Sequence, residues 1–260
     1  MLTKKINSFL NLFGVHLKRI GRNHDTVISD IIEKSAILEM NLTIIDCGAH
    51  NGSSIERFRK IYGTGANIFA FEPSNLYFDL IERFEDENTK ICNIALSDRN
   101  ALIDFYQHNS STGSSSIEKV YKGSTFSVRR GLDNPENVSK IKVTSMTLDK
   151  FSSEKNINHI HHLKIDVQGH EENVLRGSKF LLSKQKIDII EVEVIVGQAY
   201  EISASIYDIE KYLIPNGYKL VSLSPDGRFY NLEPHDIFKN PELQFDLIYC
   251  SENIYKSITS

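Results

Sequence analysis

Two short stretches combine acids with glycines where strands should end. Asp46-Cys47-Gly48-Ala49-His50-Asn51-Gly52 follows the apolar pair Ile44-Ile45, and Phe71-Glu72-Pro73 comes twenty residues past Gly52. Gly48 lets the backbone turn tightly, and Gly52 lets a helix start close to a ligand. An acid at position 72 can accept hydrogen bonds from both hydroxyls of a ribose, and Pro73 fixes the turn beyond it. Asp46 suits a cationic or amino group rather than a phosphate, which it would repel. The third glycine of G-x-G-x-x-G, which a dinucleotide pyrophosphate requires, is missing.

A nucleoside without phosphates that carries a charged amino-acid tail fits both acids, and S-adenosylmethionine is such a ligand. A third stretch, Asn93-Ile94-Ala95-Leu96, sits where the next strand ends. Asn93, or the backbone through Ala95, could read the edge of an adenine; a plain turn explains the stretch equally well.

Further along, Lys164, Asp166 and Gln168 alternate with Leu163, Ile165 and Val167, and Gly169 and His170 follow. Glu191 and Glu193 alternate in the same way with Ile190, Val192 and Val194. The two-residue period of a strand puts each polar set on one face. A central parallel strand should be almost wholly apolar, and buried charges are costly unless paired. Two uses follow. Lys164 is expected in an ion pair with Glu191 or Glu193. Asp166 and His170, nearer the strand end, are the candidates for taking a proton from a hydroxyl nucleophile. Glu171 reads either as a helix-capping acid or as a further catalytic group. His159, His161 and His162 lie ahead of the strand and His170 beyond it, so the four cannot share one ion. No metal site is expected, although a magnesium ion held by Asp166 and a glutamate is chemically open.

The elements that must position these residues read as alternating strands and helices. Strands are expected over Thr43–Cys47, Asn67–Phe71, Lys90–Ala95, Lys142–Met146, His162–Val167, Ile187–Ile195, Tyr218–Leu223 and Phe245–Cys250. Helices are expected over Ser53–Ile61, Asn75–Glu85, Leu148–Ser153, Glu171–Lys184 and Ile206–Ile214. This order implies a parallel sheet covered on both faces, with ligands beyond the carboxyl ends of its strands. The Ser- and Gly-rich stretch Gln107–Asn137 reads as a lid, an insertion or a loop. Within it Tyr121, Phe126, Arg129 and Arg130 could meet an anionic acceptor.

The blocks Asp46–Gly52, Phe71-Glu72-Pro73, Asn93–Leu96, Thr147-Leu148-Asp149, Lys164–Glu171 and Val174-Leu175-Arg176-Gly177 occur in the order and spacing of one family. From about Thr43 to Leu223 the chain resembles the FkbM family of S-adenosylmethionine-dependent methyltransferases. The resemblance implies an α/β, Rossmann-like class I methyltransferase. Its sheet would be seven-stranded and mostly parallel, with helices on both faces and an antiparallel strand near the C-terminus. It also implies O-methylation of a small hydroxyl compound such as a sugar. By match, Asp46, Gly48 and Gly52 would line the cofactor and Glu72 would hold its ribose; Ala49, His50, Asn51, Asn93, Ala95 and Asp166 are the further candidates for the cofactor site. His50 stands where the family usually has Asn, and Gln168 where it usually has Glu, so no carboxylate is available at 168.

Composition bounds the rest. The chain has 260 residues, of which 40% are hydrophobic and 25% charged, ordinary for a globular protein. A net charge of −4 argues against a nucleic-acid partner. That balance hides Lys4, Lys5, Lys18, Arg19 and Arg22 with no acid before Asp25. Interleaved with Leu2, Ile6, Phe9, Leu10, Phe13, Leu17 and Ile20, these read as a basic amphipathic helix. Its apolar stripe would pack on the domain, or residues 1–22 would dock on a protein or an anionic membrane surface. The expected division is a basic helical segment at 1–40 and a methyltransferase domain at 41–260, with an insertion or lid at about 107–140. Cys47, Cys92 and Cys250 are too few and too scattered for a disulfide framework, which suggests a cytoplasmic protein, with peripheral attachment to the inner face of the membrane left open. The expected partner is a small-molecule or glycan acceptor; the oligomeric state is not legible. A nicotinamide-dependent oxidoreductase and a non-catalytic cofactor-binding scaffold are the alternatives.

Overall fold

The structure is a computed structural model that describes residues 24–35, 37, 41–109, 111–197, 199–225 and 243–259. The first half runs α1 (His24–Ser35), β1 (Thr43–Cys47), α2 (Ser53–Tyr62), β2 (Asn67–Phe71), α3 (Asn75–Ile81), β3 (Thr89–Cys92), β4 (Ala95–Leu96), β5 (Ala101–His108) and α4 (Thr125–Arg129). The second half runs β6 (Val138–Met146), α5 (Leu148–Glu154), β7 (Ile160–Ile165), α6 (Glu171–Arg176), α7 (Lys179–Ser183), β8 (Ile187–Val196), α8 (Ile206–Leu213), β9 (Lys219–Pro225), β10 (Leu243–Cys250) and α9 (Glu252–Thr259).

Seven strands form one sheet in the order β3-β2-β1-β7-β8-β10-β9. Neighbours from β3 through β8 are parallel, and β10 runs antiparallel to both β8 and β9. This is the class I methyltransferase sheet that the resemblance implied. Strands β4, β6 and β5 form a second, three-stranded sheet.

The two-residue period divides the core into two layers. On one face Ile44, Ile189 and Ile248 pack with Ile55 and Phe58 of α2, Ile28, Ile31 and Ile32 of α1, and Ile254 of α9. On the other, Ile45, Leu163, Ile165, Ile190 and Val192 pack with Phe151 of α5, Leu175 of α6, Leu181 of α7 and Ile209 of α8. Helix α1 lies inside the 1–40 segment, yet its isoleucines are part of the domain core. The docking role expected of residues 1–22 lies outside the described residues. Among the described residues no helix is long and apolar enough to cross a membrane.

Several elements differ from expectation. The strand expected over Lys90–Ala95 ends at Cys92, and Ala95–Leu96 pairs instead with β6 in the second sheet. The helix expected over Glu171–Lys184 breaks at Gly177, a position that only glycine can hold because a Cβ there would overlap the Ser97 carbonyl. Strand β7 stops at Ile165, since Gln168 and Gly169 turn the chain at φ 57° and 99°. Strand β5 has no counterpart in the expected order.

The polar row across the first face is satisfied in an unexpected way. Asp46, Lys164 and Glu191 are register neighbours on β1, β7 and β8. Lys164 nevertheless makes its close contacts with Asp166 and Asp46, and Glu191 attracts it less than either. Its ammonium lies 3.1 Å from Asp166 and 3.7 Å from Asp46. Glu191 is taken by Arg57 of α2, whose Nη2 lies 2.7 Å from both carboxylate oxygens, and by His162 Nε2 at 3.0 Å. Burial opposes the charge of Arg57, but Glu191 outweighs it and holds the guanidinium above its usual range. Arg57→Leu should therefore destabilise the fold by about 3 kcal/mol, because it strands a buried carboxylate. Arg57→Leu combined with Glu191→Leu should recover most of that loss. Urea denaturation of the two variants checks this; equal losses would show that the pair is not the source.

Candidate active site

The site begins where β1 ends. The N–H groups of Gly48 and Ala49 both donate to the Phe71 carbonyl, at 3.1 and 3.0 Å, folding the loop after β1 across the end of β2. Gly48 adopts φ 90°, and a Cβ there would overlap the Asp166 carbonyl oxygen, so only glycine lets the loops after β1 and β7 meet. Glu72 ties this loop to the next. Its carboxylate accepts the His50 N–H and the Ser74 N–H, each at 2.9 Å. Asn93 Nδ2 donates to the Glu72 carbonyl at 3.0 Å and fixes the turn from below.

These loops frame a pocket of about 160 Å³. Phe71, Ile94, Leu96, Phe105 and Ile117 supply apolar wall, and Glu72, Asp166, Gln168 and Ser115 supply polar groups. His50 also lines it, and its ring packs against Tyr77 with centroids 4.6 Å apart. The 107–140 segment closes one side. Ser116 Oγ donates to the Gln168 carbonyl at 2.7 Å, and the Tyr200 hydroxyl lies 3.0 Å from the Ser114 carbonyl. Phe126 is buried against Tyr200 within this cover, and Arg130 stacks on Phe126 at 3.9 Å. Phe126 therefore holds the cover together rather than meeting an acceptor.

Electrostatics separate the acids. Burial pushes the Glu72 carboxyl up to about 7, against the two backbone N–H groups that favour its ionised form. Burial also opposes ionisation of Asp166, but the Lys164 ammonium and the Gln168 amide outweigh it and hold Asp166 below the usual carboxylate range. Glu193 is driven well above that range by burial and then by the charge of Asp166.

The sequence-predicted residues divide accordingly. Gly48, His50, Glu72, Ala95 and Asp166 line the pocket. Asp46 does not. It is fully buried, accepts a hydrogen bond from the Ser54 hydroxyl, and lies behind Lys164. Burial raises its pKa, and Lys164 only partly offsets that. Of the two aspartates, only Asp166 lines the pocket. Ala49 is buried in the core, Asn51 caps the N–H of Ser53, and a Cβ on Gly52 would meet the Phe84 ring, so these three shape the loop from outside the pocket. Asn93 acts through the Glu72 turn.

His170 is also removed from the site. It is buried, with Nδ1 2.7 Å from Glu118 Oε1 and Nε2 2.9 Å from Ser97 Oγ. With both nitrogens engaged, it joins the cover to the β4 loop and cannot serve as base for a ligand in the pocket. Glu171 accepts the N–H groups of Val167 and Gly169 at 3.1 and 3.0 Å, which ties its carboxylate to the loop between β7 and α6. His159, His161 and Asp188 lie close together at the opposite end of β7. The Thr43 N–H donates to His161 Nδ1 at 2.9 Å, so the ring proton stays on Nε2 and the group is not prepared for a metal. Ser115 lines the pocket, as the lid reading of the Ser- and Gly-rich stretch allowed; Phe105 and Ile117 line it without having been expected there.

The profile of the Methyltransferase FkbM domain matches residues 46–220. The 2-O-methyltransferase NoeI of Sinorhizobium fredii is 30% identical over 148 residues, 55% of this chain. That match spans 60% of the relative's own length. A methyltransferase FkbM structure from Methylobacillus flagellatus KT superposes with a TM-score of 0.49 at 11% identity, over 95% of this chain and 59% of that one. The magnesium protoporphyrin IX methyltransferase of Synechocystis PCC 6803 gives 0.42 at 12% identity, over 96% and 95% of the two chains.

Proposed function

Because the chain belongs to the FkbM methyltransferase family, whose methyl donor is S-adenosylmethionine, we propose that it methylates a hydroxyl oxygen of a small molecule: a sugar, a nucleotide-sugar or a glycan precursor. One observation carries the fit of the cofactor. A carboxylate offers about four lone-pair sites, and backbone N–H groups fill two of those on Glu72. The other two match the paired hydroxyls of a ribose. The missing pyrophosphate glycine weighs against a nicotinamide cofactor. A relative named as a 2-O-methyltransferase supports oxygen as the accepting atom.

The bound donor supplies an electrophilic methyl group on a cationic sulfur. The protein must hold a hydroxyl oxygen in line with it and remove the hydroxyl proton. Asp166 serves both needs. Its negative charge complements the cationic end of the site beforehand. As the oxygen gains carbon, its proton becomes far more acidic than any carboxylic acid. Asp166 can then take it in spite of its low proton affinity at rest. The apolar wall of Phe71, Leu96 and Phe105 excludes water, the competing nucleophile. Release of S-adenosylhomocysteine on a panel of sugars, nucleotide-sugars and glycans tests this reading. Turnover on a hydroxyl acceptor is expected; turnover confined to amine acceptors would refute it.

Glu72 also sets a pH dependence. Its folded-state pKa of about 7 lies above the ordinary 4.5, so its contribution to apo-protein stability falls as pH rises from about 4.5 to 7. Ribose hydroxyls donate to the ionised form. Cofactor affinity should therefore tighten roughly tenfold between about pH 6 and pH 8, and Glu72→Gln should flatten that profile. Calorimetry across this range checks it.

A further inference from the structure

Gln168 is held in a conformation that its sequence does not favour, and its neighbours hold it there. Its φ is 57°, in the left-handed region. Ser116 Oγ donates to its carbonyl at 2.7 Å, and the Tyr200 hydroxyl lies 3.0 Å from its Oε1, in position to donate. On its other side the amide faces two carboxylate oxygens, and this is what turns its NH2 group toward them. That group donates to Asp166 Oδ1 at 3.0 Å and to Glu193 Oε2 at 2.6 Å. Asp166 and Glu193 thus meet at one amide, two acids whose like charges disfavour ionisation of both.

We propose that Gln168 is a positioning residue that joins Asp166 and Glu193 into one acid pair holding a single proton, so that the pocket floor presents one negative charge to the cationic end of the methyl donor. The proposal rests on the methyltransferase reading of this pocket. A carboxylate at 168 would add a third acid and remove both amide donors. A leucine would leave the two acids unbridged. The surroundings fix where the shared proton sits. Lys164 of β7 lies against Asp166 and keeps it ionised. Asp246 of β10 and Glu171 of α6 bear on Glu193 and keep the proton there. Asp46, Cys47, His50, Glu72 and Tyr200 also feel the pair.

The test has two arms on the full chain. Carboxyl NMR titration without cofactor should show Asp166 and Glu193 titrating in two coupled steps. Gln168→Leu should change both steps far more than it moves the Glu72 step, which feels Asp166 only at a distance. An unchanged Asp166–Glu193 titration in Gln168→Leu would overturn the proposal. The second arm is a pH–rate profile. Gln168→Leu should lower kcat about 30-fold with cofactor affinity within threefold of the parent. Gln168→Glu should regain rate only toward acid pH, where the introduced carboxyl is protonated and can donate. Parent-like rates and profiles in both variants would also overturn it. If the parent itself methylates nothing, the functional reading fails, and the NMR arm alone decides the pairing.

Discussion

Glu72→Gln should weaken S-adenosylmethionine binding about 100-fold, which corresponds to about 2.7 kcal/mol. The expected size follows from the lone pairs of Glu72. The carboxylate accepts the N–H groups of His50 and Ser74 and has two positions left for the ribose. A carboxamide retains one oxygen and sets its NH2 group against one of those two N–H donors. At least one charge-assisted hydrogen bond to the ligand is lost, worth about 1.5–3 kcal/mol, and a buried donor is stranded as well. The same change should leave kcat at saturating cofactor within about tenfold, because Glu72 acts on the nucleoside and not on the transferred methyl group. Isothermal calorimetry with S-adenosylmethionine reads the affinity, and urea denaturation shows whether the variant is folded. Affinity within threefold of the parent, in a folded variant, would remove Glu72 from the cofactor site.

Asp166→Asn should lower kcat about 100- to 1,000-fold while cofactor binding falls less than tenfold. Asparagine keeps the shape of the side chain but can neither neutralise the cationic end of the site nor accept the hydroxyl proton. Lys164 would then lie beside Asp46 alone, 3.7 Å away, so some loss of stability accompanies the loss of rate. Steady-state rates at saturating cofactor separate the two effects. Full turnover in Asp166→Asn would place the base elsewhere. His170→Ala is the informative companion: with both ring nitrogens engaged by Glu118 and Ser97, its loss should act on stability and on the cover rather than through a base.

The sheet and the loops after β1 and β2 that frame the pocket were legible in the sequence because both rest on local signals. Glycines, an acid and a proline at strand ends mark the loops after β1 and β2, and apolar runs of the right length mark the strands. Glu72 could be placed from its spacing alone. The directions of the buried side chains could not. Lys164, Glu191 and Glu193 were correctly set on one face by the two-residue period. Which acid takes which base depends on Arg57 reaching over from α2, and a strand pattern contains no such information. His170 looked catalytic from its position after a polar strand. Its burial comes from Glu118, a residue of the cover 52 positions earlier. Asp46 carries the family pattern, yet it lies behind Lys164, because the β1 and β7 backbones meet at Gly48 and leave Asp166 as the acid facing the pocket.

The central claim is that one pocket, with Glu72 at the nucleoside and Asp166 at the reacting centre, moves a methyl group from S-adenosylmethionine to oxygen. Incubating the protein with an isotope-labelled methyl donor and a hydroxyl-bearing sugar or glycan acceptor, then locating the label by NMR, tests it most directly. The account predicts a labelled methyl ether whose formation is abolished in Asp166→Asn. Label carried on nitrogen or carbon, or a methyl ether formed equally well without the Asp166 carboxylate, would contradict it.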